Sequence, residues 1–286
     1  MVRIQIMSDL HLEHDEGYGR FSIPPEAPYL ALLGDIGNWN FHWRQYVEFI
    51  ERHLYRFKAI FYFCYQVQTL KEIMGSALGE FIFLNNSRYD IPDEKVTILG
   101  ATLFTDPPYG QRHRTDAFYR TEVQIDFSVK QHRLAHFDTM SYLSRQVAAL
   151  AHEDPQRSII ILTHHCPTID TQAIGPSYLV DPEGIKYQHA SDLTNQHLWI
   201  DADAVKLWAF GSTHYNCDYI DEKTERRVYS NQRGYPGECD DFRIHAVVDV
   251  STYDDKYDDA SGPFPDRPPS PDRTPSPQIS SPHIQS

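Results

Sequence analysis

Four polar motifs, each directly after a short apolar run, constrain the fold of this chain more than any other feature. The motifs are SDLH (8–11), GDIGN (34–38), THH (163–165) and GSTH (211–214). The preceding runs are rich in aliphatic and β-branched residues and bounded by turn residues, which predicts buried strands. In α/β sheets, ligands usually bind beyond the carboxyl ends of the strands. We therefore expect four strand ends to bring carboxylates and imidazoles to one rim.

The same kind of apolar run recurs along residues 1–252 and predicts nine strands. They are Val2–Met7, Tyr29–Leu33, Ala59–Phe63, Phe81–Leu84, Val96–Leu99, Ser158–Leu162, Leu207–Phe210, Val228–Ser230 and Ala246–Val250. Apolar residues at helical spacing predict helices over Trp43–Leu54, around 67–74 and around 143–150. Strands that alternate with helices early and crowd together late predict a layered α/β domain with a mixed sheet core.

Composition and charge narrow the class of protein. With 286 residues, 41% of them hydrophobic, the chain is long enough for one sizeable domain with a large core. Its net charge of -14 argues against non-specific binding to nucleic acid, although a local metal site can still bind a small phosphorylated substrate. The four cysteines form no CxxC pair, which argues against a disulfide framework or a thiolate zinc site and favours a reducing compartment.

The N-terminal residues follow a strand pattern and do not resemble the apolar region of a signal peptide. The longest apolar run is far shorter than the roughly 20 residues that a membrane-spanning helix needs. We therefore expect a cytoplasmic protein with no membrane attachment. Histidines outside the four motifs, among them His53, His132 and His189, are predicted to be ordinary surface or core residues.

Residues 253–286 differ in composition from the domain that precedes them. An acidic linker, YDDKYDD, is followed by a segment dominated by proline and serine. Such a segment cannot bury enough apolar surface to offset the entropy lost on ordering, which predicts a disordered tail after a domain of residues 1–252. The tail contains Ser-Pro and Thr-Pro pairs, so proline-directed kinases are expected partners, although any tail of this composition contains such pairs by chance.

The motifs offer ligands for a divalent metal ion. Each motif alone is weak, because Asp and Gly are common in turns. Together, in this order and after buried strands, they predict a metal site. Carboxylate oxygens and imidazole nitrogens suit Mn, Fe, Zn or Ni.

The set of motifs resembles that of the calcineurin-like metallophosphoesterases, over roughly residues 1–250. Two further segments, ILGATLF (98–104) and SNQRGY (230–235), are similar to the smaller cytosolic, Ser/Thr-phosphatase-like branch of that family. The resemblance implies a four-layer α/β/β/α sandwich, in which two sheets pack face to face with helices outside. It also implies hydrolysis of a phosphate ester, in a small molecule or a phosphoprotein, by water that two metal ions activate.

The resemblance further implies a set of metal ligands, which are Asp9, His11, Asp35, His164 and His214. In the family pattern, the first metal would be held by all of these except His164, which would bind the second metal. Asp35 would bridge the two ions. His165 would lie beside the ligands, as a capping residue or as a group that assists catalysis.

Two departures from the family pattern affect the second metal. The Gly-Asn-His-Glu or Gly-Asn-His-Asp motif expected after the third strand is missing, because that strand continues directly into Cys64–Gln68. In the last motif, Ser212 stands where the family usually has a metal-binding histidine. A serine hydroxyl is a poor substitute for an imidazole. We therefore expect one firmly held metal and a weak second one.

Three explanations account for these departures. The first is an enzyme with impaired activity, in which a group such as His165 or Gln66 partly replaces the missing ligands. The second is a catalytically inactive binding or regulatory module. The third is a misassigned exon boundary, which removed the loop with the Asn-His motif from the sequence. Ser212 is a substitution in intact surroundings, which favours real loss of ligands.

A basic stretch, QRHR (111–114), lies in the long segment 106–127. This segment either steers a phosphate or is a solvated loop.

Overall fold

The computed structural model describes residues 1–62, 80–112, 128–176, 184 and 186–250. These described residues contain eleven strands: β1 (Val2–Met7), β2 (Tyr29–Leu32), β3 (Ala59–Tyr62), β4 (Glu80–Phe83), β5 (Ser87–Asp90), β6 (Val96–Ala101), β7 (Ser158–Thr163), β8 (Val205–Phe210), β9 (Cys217–Ile220), β10 (Arg227–Ser230) and β11 (Val248–Val250). The same residues form six α-helices and a 3-10 turn (Tyr109–Gln111): α1 (Gly17–Arg20), α2 (Trp39–Leu54), α3 (Val129–Glu153), α4 (Thr171–Ile174), α5 (Lys186–His189) and α6 (His197–Ile200).

Several predictions lie outside the described residues. They are the helix around 67–74, the segment 63–68 where the Asn-His motif is missing, most of the loop 106–127 and the tail 253–286. Among the helices that the structure does describe, none combines the length and the apolar character needed to cross a bilayer.

The strands form two sheets that are parallel in their centres and antiparallel at their edges. The first sheet has the order β11-β1-β2-β3-β4, and only β11 runs antiparallel to its neighbour. The second sheet has the order β5-β6-β7-β8-β10-β9, in which β6, β7, β8 and β10 are parallel and β5 and β9 are antiparallel. The first sheet therefore holds β1 and β2 as neighbours, and the second holds β7 and β8.

The central strands are buried on both faces, which explains why their sequences are nearly continuous apolar runs. On β7, Ile160 and Leu162 pack against the first sheet, whereas Ile159 and Ile161 pack on the opposite face. That opposite face is covered by α3 and α6. The face of the first sheet that points away from the second is covered by α2. The layers are thus α/β/β/α, which confirms the predicted four-layer sandwich.

All nine predicted strands are present within one or two residues of their predicted bounds, but β5 and β9 were not predicted. Both are antiparallel strands at the edges of the second sheet, in which every residue except Cys217 is half-buried or exposed. Their pairing depends on a neighbouring strand, which a local apolar pattern does not reveal.

Helices α2 and α3 begin earlier than predicted because capping residues, not the apolar stripe, set their first turns. The Asn38 side chain accepts a hydrogen bond from the Phe41 backbone at 3.3 Å, which starts α2 at Trp39. At α3, Ser128 and Gln131 each bond to the backbone of the other in a capping box.

Candidate metal centre

The four motifs meet at one edge of the molecule, beyond the carboxyl ends of β1, β2, β7 and β8. Backbone hydrogen bonds join the two motif loops of the first sheet. The Asp9 N–H donates to the Gly34 carbonyl at 3.0 Å, and the His11 N–H donates to the Asp35 carbonyl at 3.0 Å. The two loops are therefore fixed relative to each other before any ligand binds.

The loops of the second sheet are joined in the same way and then to the first sheet. The Gly211 N–H donates to the His164 carbonyl at 2.8 Å. The Ser212 N–H donates to Asp9 Oδ2 at 2.9 Å, across the two sheets. All four motifs thus form one hydrogen-bonded assembly.

Five motif residues have a left-handed backbone conformation. They are Asp9 (φ 51), His11 (φ 45), Asp35 (φ 45), Ser212 (φ 69) and His214 (φ 48). This conformation is uncommon for residues other than glycine, although Asp and His adopt it more readily than most. Sparsely populated backbone conformations cluster at functional sites, where the surrounding structure holds them in place. The backbone here aims the side chains at a common point.

The side chains form two groups of three potential ligands, which we call the first and second donor groups. The first donor group is Asp9, His11 and His214, and the second donor group is Asp9, Asp35 and His164. Within each group, the donor atoms all lie within 4.8 Å of one another. Asp9 belongs to both, so the two groups are adjacent and share a carboxylate.

In the first donor group, two imidazoles face each other and the shared carboxylate. His11 Nε2 lies 3.1 Å from His214 Nε2, and His214 Nε2 lies 3.4 Å from Asp9 Oδ1. In the second donor group, His164 Nε2 lies 3.7 Å from Asp35 Oδ2. The Asp35 side chain is 55% exposed, whereas Asp9 is completely buried. Asp35 is therefore the ligand that faces solvent.

Each imidazole is oriented by a hydrogen bond at its other nitrogen. His11 Nδ1 lies 3.0 Å from Glu13 Oε1, and His214 Nδ1 lies 2.7 Å from Glu238 Oε2. His164 Nδ1 donates to the Leu33 carbonyl at 2.8 Å. Metal-binding histidines typically donate their second N–H to a carboxylate or carbonyl in this way. Each Nε2 is thereby left to face the donor group.

The charges around the first donor group favour a cation. Burial opposes a positive charge on His214, but the carboxylates of Asp9 and Glu238 outweigh burial and raise the pKa of His214 to about 10. Burial would raise the pKa of Asp9, but the neighbouring imidazoles outweigh this effect and hold that pKa below its usual range. Carboxylates that stabilise a proton on an imidazole also stabilise a metal cation at the same place.

These residues fit a divalent metal ion. Asp9 Oδ1 is buried and accepts no hydrogen bond, which is costly for a carboxylate oxygen unless a cation contacts it. The Nε2 atoms of His11 and His214 face each other at 3.1 Å, while their Nδ1 atoms contact carboxylates. A metal ion that displaces the proton from His214 can therefore contact both Nε2 atoms. Oxygen and imidazole donors suit several transition metals, so the donor set does not select one.

Two glycines allow the motif loops to approach closely. Gly34 has a φ of 113, and a Cβ at this position would collide with the His164 ring. A Cβ on Gly211 would collide with the Ser8 hydroxyl and would lie 2.6 Å from Asp9 Oδ2. Larger residues at either position would displace a potential ligand.

The SNQRGY segment (230–235) forms hydrogen bonds and a ring contact with residues of the SDLH and GSTH motifs. Gln232 Oε1 accepts the His214 N–H at 2.7 Å, and Asn231 accepts the Ser8 N–H at 3.1 Å through its carbonyl oxygen. The Tyr235 ring packs on the His11 ring with their centroids 4.3 Å apart. The segment therefore holds the ends of both sheets together.

The structure brings five of the six predicted site residues into the donor groups, and the sixth, His165, lies beside them. His165 is buried, and its Nδ1 donates to the Thr102 carbonyl at 3.1 Å. Burial drives the pKa of His165 well below its ordinary value, so the imidazole is neutral. Its participation in catalysis stays a prediction. The predicted bridging role of Asp35 also stays a prediction, since Asp9 is the carboxylate common to both groups.

Three residues near the site were not predicted from the sequence as site residues. Glu13 follows His11 by two positions, and this spacing was the only local signal. Glu238 and His189 have no such signal, because long-range folding alone places them against the motifs. His189 Nδ1 lies 3.1 Å from Ser212 Oγ.

Comparison with known proteins yields one similar sequence and a shared fold. No protein-family model matches the chain. An uncharacterised protein, L509, from Acanthamoeba polyphaga mimivirus is 24% identical over 285 residues, covering 86% of this chain and 96% of that protein.

The chain also resembles the crystal structure of the phosphopantetheinyl hydrolase PptH from Mycobacterium tuberculosis. The TM-score is 0.53 at 15% identity, over 82% of this chain and 90% of that chain. A dimetal phosphatase from Danio rerio gives a TM-score of 0.39 at 11% identity, over 80% of this chain and 86% of that chain, which is too low to support an argument. The likeness to PptH shows that the chain has the metallophosphoesterase fold.

Proposed function

We propose that this chain is a metal-dependent phosphoesterase. The observation that carries the proposal is the pair of adjacent donor groups that share the buried carboxylate of Asp9. Divalent metal ions, when bound there, supply a nucleophile from water near neutral pH and neutralise charge that develops on phosphoryl oxygens.

The chain's own residues prepare this site for a phosphate ester. Asp9 supplies negative charge to both donor groups from a completely buried position. Glu13 and Glu238 fix the rings of His11 and His214, so that these imidazoles need little reorganisation on binding a cation. Asp35 lies on the solvent side, where a substrate arrives. The substrate in this proposal is a small phosphate ester or a phosphoprotein.

The fold supports the proposal, because PptH, which shares it, is named as a hydrolase. Ser212 stands where the family pattern has a metal-binding imidazole, so we expect a weakly held second ion and reduced activity. The same substitution favours a second candidate, an inactive module that binds metal and a phosphorylated partner without turnover.

The test combines metal content with hydrolysis. The purified chain is incubated with Mn²⁺, its bound metal is measured by elemental analysis, and hydrolysis of 4-nitrophenyl phosphate and bis(4-nitrophenyl) phosphate is followed. We expect at least one ion per chain and hydrolysis that depends on it. Asp9→Asn is expected to lower the rate by about 100-fold or more, because it weakens the binding of the ions that stabilise developing charge.

The matched control is Asp249→Asn, because Asp249 is an exposed carboxylate on the edge strand β11, where it pairs with Arg3. This variant is expected to bind metal and to react like the unmodified chain. Bound metal without hydrolysis would favour the inactive module. A chain that binds no metal, or an Asp9→Asn variant with full activity, would contradict the proposal.

A further inference from the structure

An imidazole outside the four motifs lies beside the metal donor groups. His189 is the last residue of α5, and its Nδ1 lies 3.1 Å from Ser212 Oγ. The Ser212 N–H donates to Asp9 Oδ2 at 2.9 Å. One residue thus separates His189 from the carboxylate that both donor groups share.

Backbone pairing fixes the position of His189. The Cys166 N–H donates to the His189 carbonyl at 2.9 Å, and the Ser191 N–H donates to the Cys166 carbonyl at 3.0 Å. Cys166 and Ala190 form a parallel β-bridge. Because Cys166 comes directly after the THH motif, this pairing ties His189 to the strand end that carries His164.

The surroundings of His189 disfavour a positive charge on its imidazole. Burial, the largest effect, together with the positive charge of neighbouring imidazoles, lowers the pKa of His189 to about 4. The groups close enough to influence this pKa are His214, Asp9, His164 and Asp35. A neutral imidazole retains a nitrogen lone pair, which is the form that binds a metal ion.

The second donor group has fewer imidazole donors than the first. Its three donors are Asp9, which is shared, Asp35, which is half exposed, and His164. The first donor group has two imidazoles, each backed by a carboxylate. Transition metals in such sites commonly bind several nitrogen donors. An additional imidazole would raise the affinity of the second donor group.

We propose that His189 supplies an imidazole ligand to a divalent metal ion held by the second donor group. This inference rests on the proposed function, since it takes both donor groups as metal sites. His189 Nδ1 lies 3.1 Å from Ser212 Oγ, so in this proposal Nε2 is the ligand atom and Ser212 is a positioning residue for the ring. Neither donor group includes His189 in the structure. The proposal therefore requires the His189 ring to rotate toward Asp35 and His164 when the ion binds.

The experiment is a Co²⁺ titration of chelator-treated protein, followed by calorimetry and by the visible absorption of the bound ion. The unmodified chain is expected to bind two equivalents, the second more weakly. His189→Ala is expected to keep the first equivalent and to lose affinity for the second by about 10-fold or more. His197→Ala is the matched control, because the His197 side chain is 99% exposed and belongs to neither donor group.

A rescue variant distinguishes a metal-binding role of His189 from a purely structural role. The double variant His189→Ala with Ser212→His places an imidazole on the neighbouring position and is expected to recover the second equivalent. Circular dichroism verifies that every variant is folded. A His189→Ala variant with an unchanged second equivalent would overturn the inference, and so would one that loses both equivalents. If the unmodified chain bound no Co²⁺ at all, not even the first equivalent, the proposed function would be overturned as well.

Discussion

Two glutamates outside the donor groups orient the imidazoles of the first donor group toward a metal ion. Glu13 and Glu238 contact the Nδ1 atoms of His11 and His214. The resulting carboxylate–imidazole pairs orient each ring so that Nε2 faces the donor group. The hydrogen bond of Glu238 also fixes the ring against Asp9. Both glutamates therefore contribute to the site although neither is placed to bind the ion.

Glu238→Gln is expected to lower the metal affinity of the first donor group by about 10- to 100-fold, because an amide is a weaker partner for the His214 N–H. Isothermal titration with Mn²⁺ measures the change. Glu222→Gln is the control, since Glu222 is an exposed glutamate in a turn of the same half of the chain. Equal affinities of the two variants would contradict the role of Glu238.

Gly34 is constrained both by its backbone and by its neighbour. Gly34→Ala is expected to destabilise the fold by about 1–3 kcal/mol, because φ is 113 and the new Cβ would collide with the His164 ring. The displaced ring should also weaken metal binding by the second donor group. Urea unfolding and metal titration measure the two effects. Gly19→Ala, where a Cβ meets nothing within 4 Å, should be near neutral.

At the scale of elements, α2 is connected to the loop before β2 by a buried histidine. His53 Nδ1 donates to the Phe49 carbonyl at 2.7 Å, and His53 Nε2 accepts the Ile23 N–H at 3.0 Å. Both bonds require the neutral ring. Burial is the main reason why the pKa of His53 is lowered to about 4.

This lowered pKa predicts that the protein is less stable in acid. In the unfolded chain, His53 binds a proton near its ordinary pKa of 6.5, whereas the folded chain resists protonation down to about pH 4. Its stabilising contribution is therefore complete above pH 6.5 and is lost as the pH falls to 4, by about 2–3 kcal/mol. Urea unfolding at pH 7, 6 and 5, in the presence of a chelator, measures the slope.

His53→Gln provides the comparison for the acid effect. At pH 7 this variant should be less stable by about 1–2 kcal/mol, because one buried hydrogen bond is lost. Its stability should then decrease less steeply between pH 7 and 5. A slope as steep as that of the unmodified chain would assign the acid sensitivity to other groups, such as the buried His132, whose pKa burial also lowers to about 4.

At the scale of the whole molecule, the site exists because two sheets pack face to face and their strand ends meet. Ile160 on β7 lies in the apolar layer between the sheets and is fully buried. This layer sets the distance between the motif loops of the two sheets. Packing in the centre and geometry at the rim are therefore coupled.

Ile160→Ala is expected to destabilise the protein by about 2–5 kcal/mol, because it leaves a cavity between two sheets. Ile220→Ala, at a position that is 40% exposed on an edge strand, should cost under about 1 kcal/mol. Chemical denaturation of both variants measures the difference. Similar costs at the two positions would show that the layer between the sheets is not the principal core.

The sequence by itself determined the nine apolar strands and an α/β class, because these features depend on local patterning. The four-layer sandwich and the five donor residues were implied by the resemblance that the four motifs carry. A buried strand needs a continuous apolar run, and the loop after it carries the ligands. Edge strands β5 and β9 have no such run and were not predicted.

Only the tertiary structure decided which side chains complete the site. His11 and His214 are 203 positions apart in sequence, yet their Nε2 atoms lie 3.1 Å from each other. Glu238 and His189 look locally like any surface glutamate or helical histidine. A hydrogen bond between side chains depends on where distant backbone segments are placed, and the packing of the two sheets sets that placement.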